Sequence, residues 1–170
     1  MEQRADPVYR PLDSRRSLRL IRVAFDSNIL IYLAGVARAQ SDDEKIYFLR
    51  EIQAPLEQNA TLVFPVQSLG ELAVALRRSG RSRSEVRDRI AETSGDAVLA
   101  PTTSQIFELA LTLADDHQLQ VWDSIILSAA IETGCTILLS EDMQHGFTIR
   151  GLTIINPLAE PMHPKLAALL

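Results

Sequence analysis

The sequence predicts an α/β protein: one domain built on an open parallel β-sheet of about five short strands, with helices on both faces. Three observations carry that prediction. Apolar runs of about four residues, too short for helices, alternate along the chain with longer segments of helical period. The runs are apolar throughout, as in strands covered on both faces. The chain's 170 residues suffice for one domain with a substantial core, and no internal repeat, low-complexity tract or interdomain linker divides them.

Residues 1–20 show no hydrophobic period and are interrupted by Pro7, Pro11 and scattered Arg, so an extension that is disordered or loosely packed is expected. The domain proper then runs over 21–158, with 159–170 as a C-terminal tail. Val23-Ala24-Phe25 reads as the first strand and Ile29-Leu30-Ile31 as the core of the helix after it. A polar break follows, where Ser41 and Glu44 have the spacing of a capping box. The next helix carries Ile46, Leu49, Ile52 and Leu56 on one side. Thr61–Phe64 is the second strand, closed by Pro65. A third helix from Val66 to about Arg78 has Val66, Leu69, Ala73 and Leu76 as its core stripe, and Glu71 lies off that stripe. A polar outer helix is expected over roughly Ser84–Thr93, and Ala97–Ala100 is the third strand. Thr103–His117 is a helix with Ile106, Phe107, Ala110, Leu111 and Ala114 facing inward. The helix from Ser124 is apolar almost all round and must be buried. Thr136–Leu139 is the fourth strand, running into Ser140-Glu141-Asp142, and Leu152–Ile155 is the fifth.

With 46% hydrophobic and 23% charged residues, the composition is that of a soluble globular protein. No apolar run is long enough to cross a bilayer, and the N-terminus has no signal-peptide pattern, so a cytoplasmic protein is expected. Cys135 is the only cysteine, which excludes an internal disulfide, and its apolar neighbours point to a small core residue. The net charge of −5 argues against a broad nucleic-acid footprint. The charge is uneven, since residues 1–22 are net +3 and the remainder −8.

Four acids stand out. Asp26 ends the first strand, Glu71 lies one helical turn past the second, Asp123 opens a buried helix, and Asp142 lies just past the fourth strand. In open α/β sheets, ligands bind outside the carboxyl ends of the strands. Taken singly, each acid has an ordinary reading: Asp26 and Asp123 as helix caps, Asp142 as a turn residue whose role Glu141 could take, Glu71 as a solvated side chain. Taken together, if strands one and four are neighbours, Asp26 and Asp142 converge. Clustered carboxylates repel, so at least one should have a raised pKa, and a cation is needed to hold them together. No basic residue directly follows any of the four. One Cys and the scattered His117, His145 and His163 offer no zinc spacing, whereas all-oxygen ligands suit Mg²⁺ or Mn²⁺. Two further residues have competing readings. Trp122 is a packing residue or a platform for a flipped-out base. His145 is a mobile loop histidine or a general acid.

The runs Val23-Ala24-Phe25-Asp26-Ser27-Asn28-Ile29-Leu30, Ser68-Leu69-Gly70-Glu71-Leu72, Trp122-Asp123-Ser124-Ile125-Ile126 and Leu138-Leu139-Ser140-Glu141-Asp142-Met143-Gln144-His145-Gly146 resemble, in order, the four motifs of PIN-domain nucleases. Gly151–Pro157 resembles the closing strand of the VapC-type toxins in that family. The resemblance covers about residues 21–158. It implies strand order 3-2-1-4-5 and a Mg²⁺- or Mn²⁺-dependent endoribonuclease with Asp26, Glu71, Asp123 and Asp142 as its acidic site. Asn28 and Ser140 would orient those acids. It also implies a homodimer and a cognate antitoxin as partner. The N-terminal extension departs from the family pattern.

The residues weigh against three rivals. An aspartyl-phosphate phosphatase wants a second Asp two residues after the first, where this chain has Asn28. Both it and a response-regulator receiver want a Lys near the phosphate, and neither Lys45 nor Lys165 follows a strand. No Gly-rich phosphate loop is present. The alternative from another class is a non-catalytic module that keeps the fold and only binds RNA or protein.

Overall fold

The computed structural model describes residues 21–37, 39 and 41–170. The extension expected over residues 1–20 lies outside the described residues. The element order is β1 (Arg22–Phe25), α1 (Ser27–Leu33), α2 (Asp42–Asn59), β2 (Thr61–Pro65), α3 (Val66–Arg78), α4 (Arg83–Ser94), β3 (Val98–Ala100), α5 (Ser104–His117), α6 (Val121–Glu132), β4 (Ile137–Leu139), β5 (Thr148–Ile149), β6 (Leu152–Ile155) and α7 (Pro164–Ala167).

The strands form one sheet in the order β3-β2-β1-β4-β6-β5. Every pair is parallel except β5 with β6. The five expected strands are therefore present in the expected order, with β6 as the fifth. A sixth strand, β5, was not legible in the sequence. It is two residues long and exists only because a tight hairpin turns it onto β6. Arg150 and Gly151 both have positive φ (48° and 86°), as the favoured two-residue hairpin turns require.

Alternate strand residues enter two cores. Val23, Phe25, Ile137, Leu139 and Ile155 point toward the layer of α1, α2 and α3. Ala24, Val63, Leu138 and Ile154 point toward α5 and α6. This period of two explains why the strands are apolar at every position. Segment 159–170, expected as a tail, contains α7, and its Leu166 and Leu169 are buried in the first core.

Several local expectations are corrected. Ser41 has a helical backbone (φ −77°, ψ −5°) and makes no side-chain cap bond. The buried Asp42 instead accepts from the Ala39 backbone N–H at 2.9 Å. A full capping box forms at α4, between Ser82 and Glu85. On α3, Val66 is exposed and Leu72 is fully buried in its place. On α5, the inward face is Ile106, Ala110 and Leu113, which leaves Phe107 and Leu111 exposed. Helix α6 begins three residues early, at Val121.

Leu138 is fully buried in the second core, between β1 and β6. Leu138→Ala is expected to lower the unfolding free energy by about 2–5 kcal/mol, through lost transfer energy and the cavity left behind. Urea unfolding followed by circular dichroism measures it.

Candidate active site

The site is built at the carboxyl edge of the two central strands. Strand β1 pairs with β4 in register Phe25↔Leu139, so the residues that follow, Asp26 and Ser140, emerge side by side. The Asp26 N–H donates to the Leu139 carbonyl at 2.9 Å, and the Ser140 N–H to the Ile155 carbonyl at 3.0 Å. Each chain is thus pinned to its neighbour where the strand ends.

Asp26 is buried and its carboxylate is well occupied. Oδ1 accepts from the Ser27 N–H at 2.6 Å, at the start of α1. Oδ2 accepts from Ser140 Oγ at 2.6 Å and from Asn28 Nδ2 at 3.0 Å. The same Asn28 amide nitrogen donates to Asp142 Oδ2 at 3.1 Å, and its Oδ1 accepts from the Glu141 N–H at 3.3 Å. Ser140 Oγ in turn accepts from the Met143 N–H at 3.1 Å. One buried amide therefore bridges the first and fourth acids and ties down the backbone between them. The cap reading of Asp26 is also correct, since capping α1 and facing the rim are compatible.

Glu71 and Asp123 come from neighbouring helices. Glu71 lies on the partly exposed side of α3, where its Oε1 accepts from Gln67 Nε2 at 3.0 Å. Asp123 is the third residue of α6, partly buried, and it is no cap, because Gln120 holds that position. Helices α3 and α6 pack together, and the charges of Glu71 and Asp142 both act on Asp123.

Electrostatics link all four acids. Asp26 is pushed up to about 6, first by burial and further by the charges of Asp123 and Glu71, against the opposing hydrogen bonds from Ser140 and Ser27. Asp123 is raised as well, by burial and then by Glu71 and Asp142. Among the described residues, no three His, Cys, Asp or Glu side chains are grouped tightly enough to hold a metal ion as they stand. The donor set still fits a hard cation in kind: four carboxylates with one shared field and no competing thiolate. Cys135 precedes β4, at the opposite edge of the sheet, and burial pushes its thiol up to about 12.

Two groups here escaped the sequence reading. Lys45, from α2, places Nζ 2.5 Å from Glu141 Oε1 and 3.5 Å from Asp42 Oδ1. The Tyr32 hydroxyl donates to Glu141 Oε2 at 2.7 Å. A cation therefore does reach this rim, but it neutralises Glu141, while Asp142 is the acid bridged to Asp26. No sequence signal marks this pairing, because Lys45 and Glu141 are 96 residues apart.

The remaining candidates separate clearly. Trp122 is 60% exposed, so the packing reading fails for it. His145 is tethered, its Nδ1 accepting from the Asn156 N–H at 3.0 Å.

Because Asp26 takes up a proton more readily in the folded than in the unfolded state, its ionisation destabilises the fold. The cost is absent below about pH 3.8, grows as pH rises to about 6, and is then complete, on the order of 3 kcal/mol. In EDTA, Asp26→Asn is expected to melt above the wild type at about pH 8, with the advantage shrinking as pH falls through 6 toward 4. Paired melting curves across that range test this. An advantage independent of pH would mean that the carboxylate charge carries no such cost.

Comparison with known proteins adds four likenesses, one to a family model and three to solved structures. A family model described as PIN domain matches residues 23–146. No curated protein matches the chain. Among solved structures, VapC20 of Mycobacterium tuberculosis, described as a sarcin-ricin loop cleaving toxin, is 16% identical with a TM-score of 0.52, over 71% of this chain and 91% of that one. A toxin-antitoxin complex from Klebsiella pneumoniae is 19% identical with a TM-score of 0.57, over 79% and 97%. VapBC2 from Rickettsia felis, bound to a DNA fragment from its promoter, is 15% identical with a TM-score of 0.57, over 79% and 97%. At these identities the solved structures share the fold.

Proposed function

The chain belongs to the PIN domain family, and from that premise we propose that it is a metal-dependent endoribonuclease, the toxin of a toxin–antitoxin pair. The observation that carries the reading is the Asn28 amide bridging Asp26 and Asp142, in a field those two share with Asp123 and Glu71. A fold that gathers like charges this way is arranged around a positive ligand. In this reading Asp26 and Asp123 hold the cation directly, and Asp142 and Glu71 hold it through water or orient the attacking water. Mg²⁺ or Mn²⁺ bound there would polarise the phosphodiester and lower the pKa of bound water. Ser140 and Asn28 hold the Asp26 carboxylate in one orientation, with both oxygens already committed to donors. Burial of Asp26 limits competing water at that oxygen.

The partners follow from the same reading. Two of the solved neighbours are described as a toxin-antitoxin complex and a VapBC pair, which supports a cognate antitoxin as partner. Phe107 and Leu111 lie one turn apart and exposed on α5, an apolar face suited to a homodimer. The setting is cytoplasmic. Among the described residues, no helix is long and apolar enough to cross a membrane.

Activity is expected to require Mg²⁺ or Mn²⁺ and to vanish in EDTA. Asn28→Ala should lower cleavage by about 10- to 100-fold, the usual cost of losing a group that orients a ligand, and Asp26→Asn or Asp123→Asn by more. Cleavage of a labelled RNA by the purified proteins measures this. Undiminished cleavage by Asp26→Asn overturns the assignment. RNA binding without cleavage at any divalent-ion concentration selects the non-catalytic binding module.

An acidic protein also needs a route to a polyanion. Residues 77–89 hold six Arg (77, 78, 81, 83, 87 and 89) against Glu85 and Asp88. They form the α3–α4 hairpin, and Arg78 lies two turns, about 10 Å, beyond Glu71 on the same side of α3. Among the described residues, Arg78 and Arg83 pair with no carboxylate. In our reading this hairpin takes the RNA backbone. Arg78→Gln with Arg83→Gln should weaken RNA binding and flatten the log K against log salt slope by about 1.4, or 0.7 for each lost phosphate contact. An unchanged slope removes the hairpin from the interface.

A further inference from the structure

Trp122 is the chain's sole tryptophan and is 60% exposed. It belongs to neither core. Among the described residues its ring stacks on no aromatic side chain and receives no cation. Packing therefore does not account for this side chain, whose exposure forgoes the burial that a large apolar group otherwise gains.

Its position is informative. Trp122 and Asp123 are consecutive in the first turn of α6, and Asp123 lies in the field of Glu71 and Asp142. Consecutive helical side chains diverge by about 100°, so the indole flanks the acid rim without covering it. A phosphodiester seated at that rim carries a base one sugar away on either side. We propose that Trp122 is a stacking platform for a nucleobase of single-stranded RNA beside the scissile phosphate, an inference that rests on the nuclease reading above. Stacking on an indole tolerates any base, since every base has a π-face, and it requires a base that is free of a duplex. Along α6 itself the exposed apolar surface is Val121 and Trp122, because Ile125 and Ile126, the next large residues of the helix, are buried. One exposed indole beside the acid rim is the scale of a single base.

The test uses Asp26→Asn, which in this reading binds RNA without cutting it, and a short unstructured oligoribonucleotide of mixed sequence. End-label anisotropy reports binding, and the single indole reports stacking by its emission. The emission is expected to be quenched as RNA saturates. Trp122→Ala in the Asp26→Asn background should weaken binding by about 5- to 150-fold, and Trp122→Phe by less than about 5-fold. A base-free ribose-phosphate oligomer of equal length should bind with equal affinity whether Trp122 is present or replaced, and should leave the emission unchanged. Melting temperatures matching the parent's verify that the exposed substitutions leave the fold intact. RNA binding with unchanged emission and undiminished affinity in Trp122→Ala overturns the stacking role and leaves the nuclease reading standing. Loss of self-association in Trp122→Ala, with RNA affinity unchanged, makes the indole a protein contact and overturns it equally. No RNA binding by any variant, with no cleavage by the wild type, overturns the nuclease reading and the stacking role together.

Discussion

Like charges brought to one edge of a sheet repel, and the network around Asp26 is what makes that arrangement tolerable. Burial alone would drive this carboxyl toward the neutral form. The Ser140 hydroxyl and the Ser27 N–H oppose that tendency, and the charges of Asp123 and Glu71 reinforce it. The balance leaves Asp26 at about 6, close enough to neutrality that small changes in surroundings alter its charge. Asn28 extends the network, because its single amide reaches both Asp26 and Asp142. A side chain with two donors on one nitrogen is well suited to joining two acceptors that would otherwise separate.

The rim is held by elements that are rigid for other reasons. Strands β1 and β4 are covered on both faces, and their backbones are locked in register up to the residues that turn into the site. Helix α6 is buried on nearly all sides beyond its first turn, so Asp123 projects from a fixed base. Glu71 is half-buried, like Asp123, and Asp142 is exposed. The buried member is the one whose orientation is fully determined by hydrogen bonds, and the outer members keep the freedom to adjust to a bound cation. The nearby Lys45–Glu141–Tyr32 group keeps a further acid out of this field by giving it partners of its own.

Much of this was legible in the sequence, for identifiable reasons. Strands buried on two faces must be apolar at every position, so β1, β2, β4 and β6 were plain, and Asp26 and Asp142 fell at or just past the ends of β1 and β4. The α2 stripe of Ile46, Leu49, Ile52 and Leu56 was correct because a single period of 3.6 governs it. Errors arose where two readings share one pattern. Phe107 and Leu111 are apolar, yet they face outward, since the inward face of α5 is set by Ile106, Ala110 and Leu113. Trp122, at the start of a buried helix, had both a packing and a base-platform reading, and its exposure in the first turn of α6 rules out the first. The pair Ser41 and Glu44 had capping-box spacing but lacked the extended backbone that the box requires.

The sequence by itself determined the α/β class, the order of the five parallel strands and the main helices, and the position of each of the four acids along them, because each depends on neighbours within a few residues. Only the tertiary structure decided which acid faces which. Whether Glu141 or Asp142 joins Asp26 turns on a one-residue difference in direction past β4, settled by Asn28 on one side and by Lys45 and Tyr32 on the other. Those partners lie about a hundred residues away along the chain, and only the parallel pairing of β1 with β4 brings them to the same edge.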